Sequence, residues 1–175
     1  NSPILDGVYI RSGNASGPSH HVFGGGLIVY NYATGSTAYP EVRQCHFVSN
    51  EAVYGGGVAT PYGPDGSACS VILSHCIFAK NHAPIGGGAI FTLGTGFVDV
   101  DNTLIVQNVA QQQGGAIFSG DSSLHLVNTT ITQNRAGFVG GIYISLGDNE
   151  VASNTIIWDN SDSAGNNAQV YVHNG

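Results

Sequence analysis

The chain is short of charge, and of basic residues above all. Only 9% of its 175 residues are charged, against about 25% in an ordinary soluble domain. Four are basic and eleven acidic, giving a net charge of -7. That balance repels a phosphate backbone, so nucleic acid is not an expected partner. No apolar run approaches the roughly 20 residues of a membrane span, and no stretch reads as a signal peptide. There is no methionine and the first residue is Asn1, so either the start was processed or this is a segment of something longer. The three cysteines, Cys45, Cys69 and Cys76, leave one odd thiol under any pairing. No CxxC or Cys/His spacing suggests a zinc site, and no cofactor or metal is expected.

Glycine is what the chain has in excess, at 26 residues. Together with many β-branched residues and few charges, this argues against both disorder and a helical bundle. The glycines are not scattered. The last one before each apolar strand falls at Gly26, Gly57, Gly88, Gly115 and Gly141, with Asn167 in the same place afterwards. A second landmark keeps step with it: Asn50, Asn81, Asn108, Asn134 and Asn160, with Gly13 before them. Two landmarks in step over five units indicate a repeat architecture.

Other columns follow from the same register. Three residues before the asparagine stand Ile10, Phe47, Phe78, Ile105, Ile131 and Ile157; five before it come Val8, Cys45, Cys76, Thr103, Thr129 and Thr155. Six before it are Gln44, His75, Asn102, Asn128 and Asn154. Short strands between turns produce such columns, and helical heptads do not. A unit of this size cannot close a core alone, but stacked units can, each strand pairing in parallel about 4.8 Å from its equivalent. The fold expected is an all-β, right-handed parallel β-helix of five to six coils of 26–31 residues with three strands per coil; the hand comes from the rule for parallel crossovers. The Phe/Ile column should fill the interior. Asparagines should form amide ladders at the corners, where they tolerate left-handed backbone. Asn128, part of an Asn-Thr-Thr glycosylation sequon, is expected in such a ladder. Residues 1–23 read as a single strand, Ile4 to Ile10, and a long turn. The whole of 1–175 reads as one domain that begins and ends in mid-coil, either a segment of a longer solenoid or a protomer that stacks end to end.

Gly87-Gly88-Ala89-Ile90 and Gly114-Gly115-Ala116-Ile117 resemble the GGA(I/L/V) repeat of polymorphic outer-membrane-protein passengers. Phe47-Val48-Ser49-Asn50 and Phe78-Ala79-Lys80-Asn81 resemble its FxxN partner. The resemblance implies a secreted or surface-attached protein, in a class that includes many adhesins.

Chemistry-bearing residues are few. The middle strands alternate, so Asp99 and Asp101 share an outward face roughly 6.5–7 Å apart, with His125 in the column of Asp99 one coil on. Such a carboxylate pair suits a glycosidase or a Ca²⁺ site. No Arg or Lys falls beside it in the register, however, and solvated surface charge is the plainer reading. Glu51 and His82 occupy consecutive coils just after the asparagine and read as an exposed ion pair. Tyr30, Tyr32, Tyr39 and Tyr62 sit in the variable loops from Asn31 to Pro40 and Pro61 to Ser70, where a binding surface would lie. Cys45 and Cys76 share an inward column that Thr continues, which favours two buried free thiols.

The third strand offers an interface. With the Phe/Ile column facing in, Tyr9, His46, Ile77, Leu104, Thr130 and Ile156 face out, as do Arg11, Val48, Ala79, Val106, Thr132 and Trp158. Eight of these twelve are apolar or aromatic, enough for an interaction patch. Tyr9, Ile77, Leu104, Val106, Ile156 and Trp158 are its candidate contact residues. The reading is thus a non-catalytic extracellular or cell-surface scaffold for adhesion, stalk formation or self-assembly into filaments. Its expected partners are a second copy, lateral or end to end, or a cell-surface glycan. The alternative is a carbohydrate-active or glycan-binding β-helix using Asp99, Asp101 and the tyrosine loops.

Overall fold

The computed structural model describes residues 2–32, 39–63, 66–146 and 149–173. It is a parallel β-solenoid with essentially no helix beyond a 3-10 turn at Ser19–Val22. Three sheets each hold six strands in parallel. Sheet 1 contains Ile4–Asp6, Glu41–Arg43, Val71–Ser74, Phe97–Asp101, Ser123–Val127 and Glu150–Ser153. Sheet 2 contains Tyr9–Arg11, His46–Val48, Ile77–Ala79, Leu104–Val106, Thr130–Thr132 and Ile156–Trp158. Sheet 4 runs through the glycine-led strands, Leu27–Ile28, Val58–Thr60, Ile90–Leu93, Ile117–Gly120, Ile142–Ser145 and Val170–His173.

Besides the three strands expected per coil, there is a short sheet 3. It is built from Asn14–Ala15, Glu51–Ala52, His82–Ala83 and Val109–Ala110, directly after the asparagine corner. Its inward residue is alanine in every strand.

Register is as the columns imply. Ile10, Phe47, Phe78, Ile105, Ile131 and Ile157 are paired in succession. Phe47, Phe78, Ile105 and Ile131 are fully buried, and the Phe47 and Phe78 rings stack at 4.8 Å with planes 2° apart. The core lies along the solenoid axis, where Val42, Leu73, Val100 and Leu126 of sheet 1 meet Val58, Ile90, Ile117 and Ile142 of sheet 4. Burying such side chains contributes about 1.5–3 kcal/mol each.

Three local expectations need correction. Ile4 to Ile10 is two strands in two sheets, broken at Gly7, whose φ of 66° turns the corner. The glycine landmark also drifts: Gly57 is bonded to Ala89 and Ala89 to Ala116, one residue past Gly88 and Gly115, and Gly141 lies opposite Gln169, two residues past Asn167. What keeps register is the left-handed glycine, Gly24, Gly55, Gly87 and Gly114, with φ from 62° to 65°. At Gly87 a Cβ would stand 2.2 Å from the Ile90 carbonyl oxygen, so no other residue fits. Finally, left-handed backbone is not found at the closing asparagines. It falls one residue earlier, at Ser12, Ser49, Lys80, Gln107, Gln133 and Asp159, and at the opposite corner in Gln44, His75, Asn102, Asn128 and Asn154.

Candidate functional site

The asparagine corner holds the coils in register. From Asn81 to Asn160 each closing Oδ1 accepts two bonds from the asparagine one coil earlier, one from its backbone N–H and one from its side-chain amide, while Asn50 Oδ1 accepts the Gly13 N–H alone. For Asn50 on Asn81 these measure 3.0 and 3.1 Å, and for Asn108 on Asn134 2.8 and 2.9 Å. The remaining amide hydrogens reach backbone carbonyls, as from Asn81 to Phe47 at 2.9 Å. Asn50, Asn81, Asn108, Asn134 and Asn160 are all buried. Asparagine serves because its side chain is donor and acceptor at once, in a place where an unpaired amide would cost stability. The run ends at Gln169, whose Oε1 accepts from the Asn160 side chain at 2.8 Å. Asn128 does not belong to it: that residue is exposed at the other corner.

A parallel ladder uses the column five before the asparagine. Thr103 Oγ1 donates to the Asp101 carbonyl at 2.9 Å and accepts from the Cys76 N–H at 3.1 Å. Cys45 and Cys76 do the same work with sulfur, donating to the Arg43 and Ser74 carbonyls at 3.1 and 3.3 Å. All three cysteines are free and buried. Burial pushes the Cys76 thiol up to about 11, and the Cys69 thiol is also raised, burial again first.

On the outer face of sheet 1, the register places Asp99 beside His125. Their side chains meet at 2.8 Å, both partly exposed. Asp101 Oδ2 accepts from the side-chain amide of Asn102 at 2.7 Å. The two carboxylates thus have separate partners, and among the described residues no group of three or more His, Cys, Asp or Glu side chains is arranged to hold a metal ion. Glu51 and His82 approach to 3.5 Å, an exposed pair of little weight.

The loop tyrosines are engaged separately. Tyr30 and Tyr32 have ring centroids 4.6 Å apart, and Tyr39 meets Phe97 edge-on at 5.0 Å. Tyr62 crosses Gly94, where a Cβ would come within 2.8 Å of its ring, and its hydroxyl donates to Asp121 at 2.9 Å. That bond raises the Tyr62 pKa. Residues 33–38 and 64–65 of these loops lie outside the described residues. A cleft of about 360 Å³, lined in part by Leu5, Leu27, Val29 and Cys69, opens beside the first of them.

One feature of sheet 4 went unread in the sequence. On its outer face Phe91, Phe118, Tyr143 and Tyr171 stack in turn, and Phe23 and Tyr54, in bridges just before its first two strands, extend the run, with centroids 4.9–5.4 Å apart and the Tyr54–Phe91 pair tilted at 51°. Phe91 and Tyr143, inside the run, are buried, while Tyr171 at its end is exposed beside Phe138. Four residues after the left-handed glycine stand Phe91 and Phe118, but Ile28 and Ala59 hold that place in the earlier coils, where Phe23 and Tyr54 supply the ring from just before the glycine.

The outer face of sheet 2 is different. Its side chains stand in two straight rows, paired coil by coil from Tyr9 and Arg11 to Ile156 and Trp158. Ile77, Leu104 and Val106 are half-buried by one another, and Tyr9, Ile156 and Trp158 are 57%, 61% and 67% exposed. No loop among the described residues crosses between these paired rows.

Fold and register define a parallel β-solenoid repeat protein. Residues 75–93 match the Chlamydia polymorphic membrane protein (Chlamydia_PMP) repeat. This segment contains Phe78, Asn81 and the Gly86–Ile90 turn, so the resemblance read from the sequence holds over that unit. No curated protein and no solved structure matches the chain. No helix among the described residues is long and apolar enough to cross a membrane.

Proposed function

We propose that this protein is a non-catalytic surface scaffold, of the adhesin or assembly type, that works by association through the outer face of sheet 2. The observation that carries this reading is the pair of largely apolar rows on that face, set on a frame locked by buried asparagines. Exposed apolar side chains gathered on one face, among them Tyr9, Ile156 and Trp158, are the kind of surface that binds a partner. The match to a membrane-protein repeat supports a place at the cell surface.

Beads coated with the protein test this. They should clump with one another or attach to cultured cells, and Leu104→Ser with Trp158→Ser should abolish both. Inert beads with the wild-type protein would overturn the reading.

The carbohydrate reading rests on Asp99, Asp101 and His125. The 2.8 Å contact between Asp99 and His125 gives it an acid–imidazole pair. The tyrosines give it no shared platform.

A further inference from the structure

We propose that the sixth coil is a cap: it closes its own asparagine corner, so no seventh coil, of this chain or of a second copy, stacks on it in register. Three features meet there. A glutamine stands where earlier coils carry nothing larger than alanine, the coil pairs its own backbone edge, and an acid occupies an inward column.

One residue ahead of the paired sheet 4 strands stand Gly26, Gly57, Ala89, Ala116, Gly141 and finally Gln169. A side chain at this place runs toward the following coil. A Cβ on Gly26 would come within 2.7 Å of the Gly57 carbonyl oxygen and 3.2 Å of the Asn50 side-chain nitrogen. Gln169 fills the equivalent space with its own amide. Its Oε1 accepts the Asn160 backbone N–H at 3.3 Å and the Asn160 side-chain amide at 2.8 Å. For Asn134 those two bonds go to the asparagine of the next coil. The Gln169 Nε2 donates to the Asn160 carbonyl at 3.0 Å. The Asn134 carbonyl instead takes the Ser161 N–H of the following coil, also at 3.0 Å. A seventh ladder asparagine would find these groups already paired.

The backbone edge is closed as well. Ser161 bridges Arg135 in parallel on one side and Asn167 antiparallel on the other. The Asp162 N–H donates to the Asn166 carbonyl at 3.0 Å, and the Ala168 N–H to the Asn160 carbonyl at 2.9 Å. Residues 161–168 thus double back and lie where another coil would continue this corner. In sheet 1, Glu150 stands in the inward column of Val71, Val98 and Leu124, and it is exposed. A further coil would bury its carboxylate, and inward charge on an edge strand is a known bar to strand addition. Solenoids need such atypical polar repeats where stacking stops. The block concerns stacking alone; a segment further along the chain keeps every other direction open.

Appending a coil tests this. A copy of residues 121–145, one regular turn of the solenoid, is joined after His173, where its strands fall in register on the sixth coil. Hydrogen exchange read by mass spectrometry reports whether coils two to five are folded and whether the added coil is protected. On the native sixth coil the addition should exchange like unfolded chain. A second chain carries Glu150→Leu and has residues 161–169 replaced by residues 135–141, the same segment of the fifth coil. There the added coil should be protected at least ~100-fold. In the unextended protein, Gln169→Ala should speed exchange in 156–160 and 168–173 at least ~10-fold and leave coils two to four unchanged. Protection of the added coil on the native sixth coil would overturn the proposal. So would its exposure on the altered one while coils two to five stay folded, or unchanged exchange in the Gln169→Ala protein.

Discussion

Asn108 Oδ1 accepts both the backbone N–H and the side-chain amide of Asn81, each at 2.9 Å, with both residues fully buried. One side chain thereby satisfies two donors of the neighbouring coil and fixes its height. Removing it leaves those donors unpaired in the core. Asn108→Ala should cost about 2–4 kcal/mol by urea unfolding. Asn128→Gly, exposed and left-handed, should be neutral or slightly stabilising. Equal losses at the two sites would contradict the distinction drawn between the corners.

The interior column makes a harsher prediction. Phe78→Asp places an unpaired charge between Phe47 and Ile105 and should abolish folding, as judged by circular dichroism. Asp99→Asn, on the outer face, should melt within a few degrees of wild type.

Cys76 stands where later coils carry threonine, and its thiol makes the hydroxyl's bonds. Cys76→Thr should therefore change stability by less than about 1 kcal/mol at pH 7. The pH dependence separates the two proteins. The folded thiol is raised to about 11 from 9.0, burial being the main cause. The unfolded state loses its proton first as pH rises, so stability is constant below about pH 9 and falls between about 9 and 11, by on the order of 2 kcal/mol. The threonine variant should lack that part of the alkaline decline. Identical alkaline profiles would show the thiol is not buried as described.

The outer acids distinguish the two functional readings. Asp99→Ala with Asp101→Ala should leave bead clumping and attachment unchanged. Cleavage of a polysaccharide, or Ca²⁺-dependent binding, that vanishes in this double variant would favour the carbohydrate reading instead.

Inward columns were legible in the sequence because stacking demands like residues: Phe47, Phe78 and Ile105 repeat at the pairing they adopt. The Asp99–His125 contact was legible too, since parity and register together place both on one face. Corners were less so. Backbone conformation at Lys80 or Gln107 leaves little trace in residue type, because the neighbouring asparagines supply the bonds that hold it. Hence the closing asparagines were credited with a left-handed role that the residues before them play, while Asn102, Asn128 and Asn154 at the other corner do adopt it. The aromatic run was hidden because its rings come from different places in the repeat, Phe23 and Tyr54 before the left-handed glycine and Phe91 and Phe118 four residues after it, and sheet 3 by strands only two residues long.

The stacking of coils is open to direct measurement along one exposed corner. Ser12, Gln107, Gln133 and Asp159 occupy the same left-handed position in the first, fourth, fifth and sixth coils. Spin labels at Ser12 paired with each of the other three, in a background with the native cysteines replaced by threonine, report the rise by electron–electron resonance. Parallel coils in register place the labelled backbone positions roughly 14, 19 and 24 Å apart, one strand spacing per coil. Distances that fail to lengthen by about 5 Å per coil would contradict the solenoid and everything built on its faces.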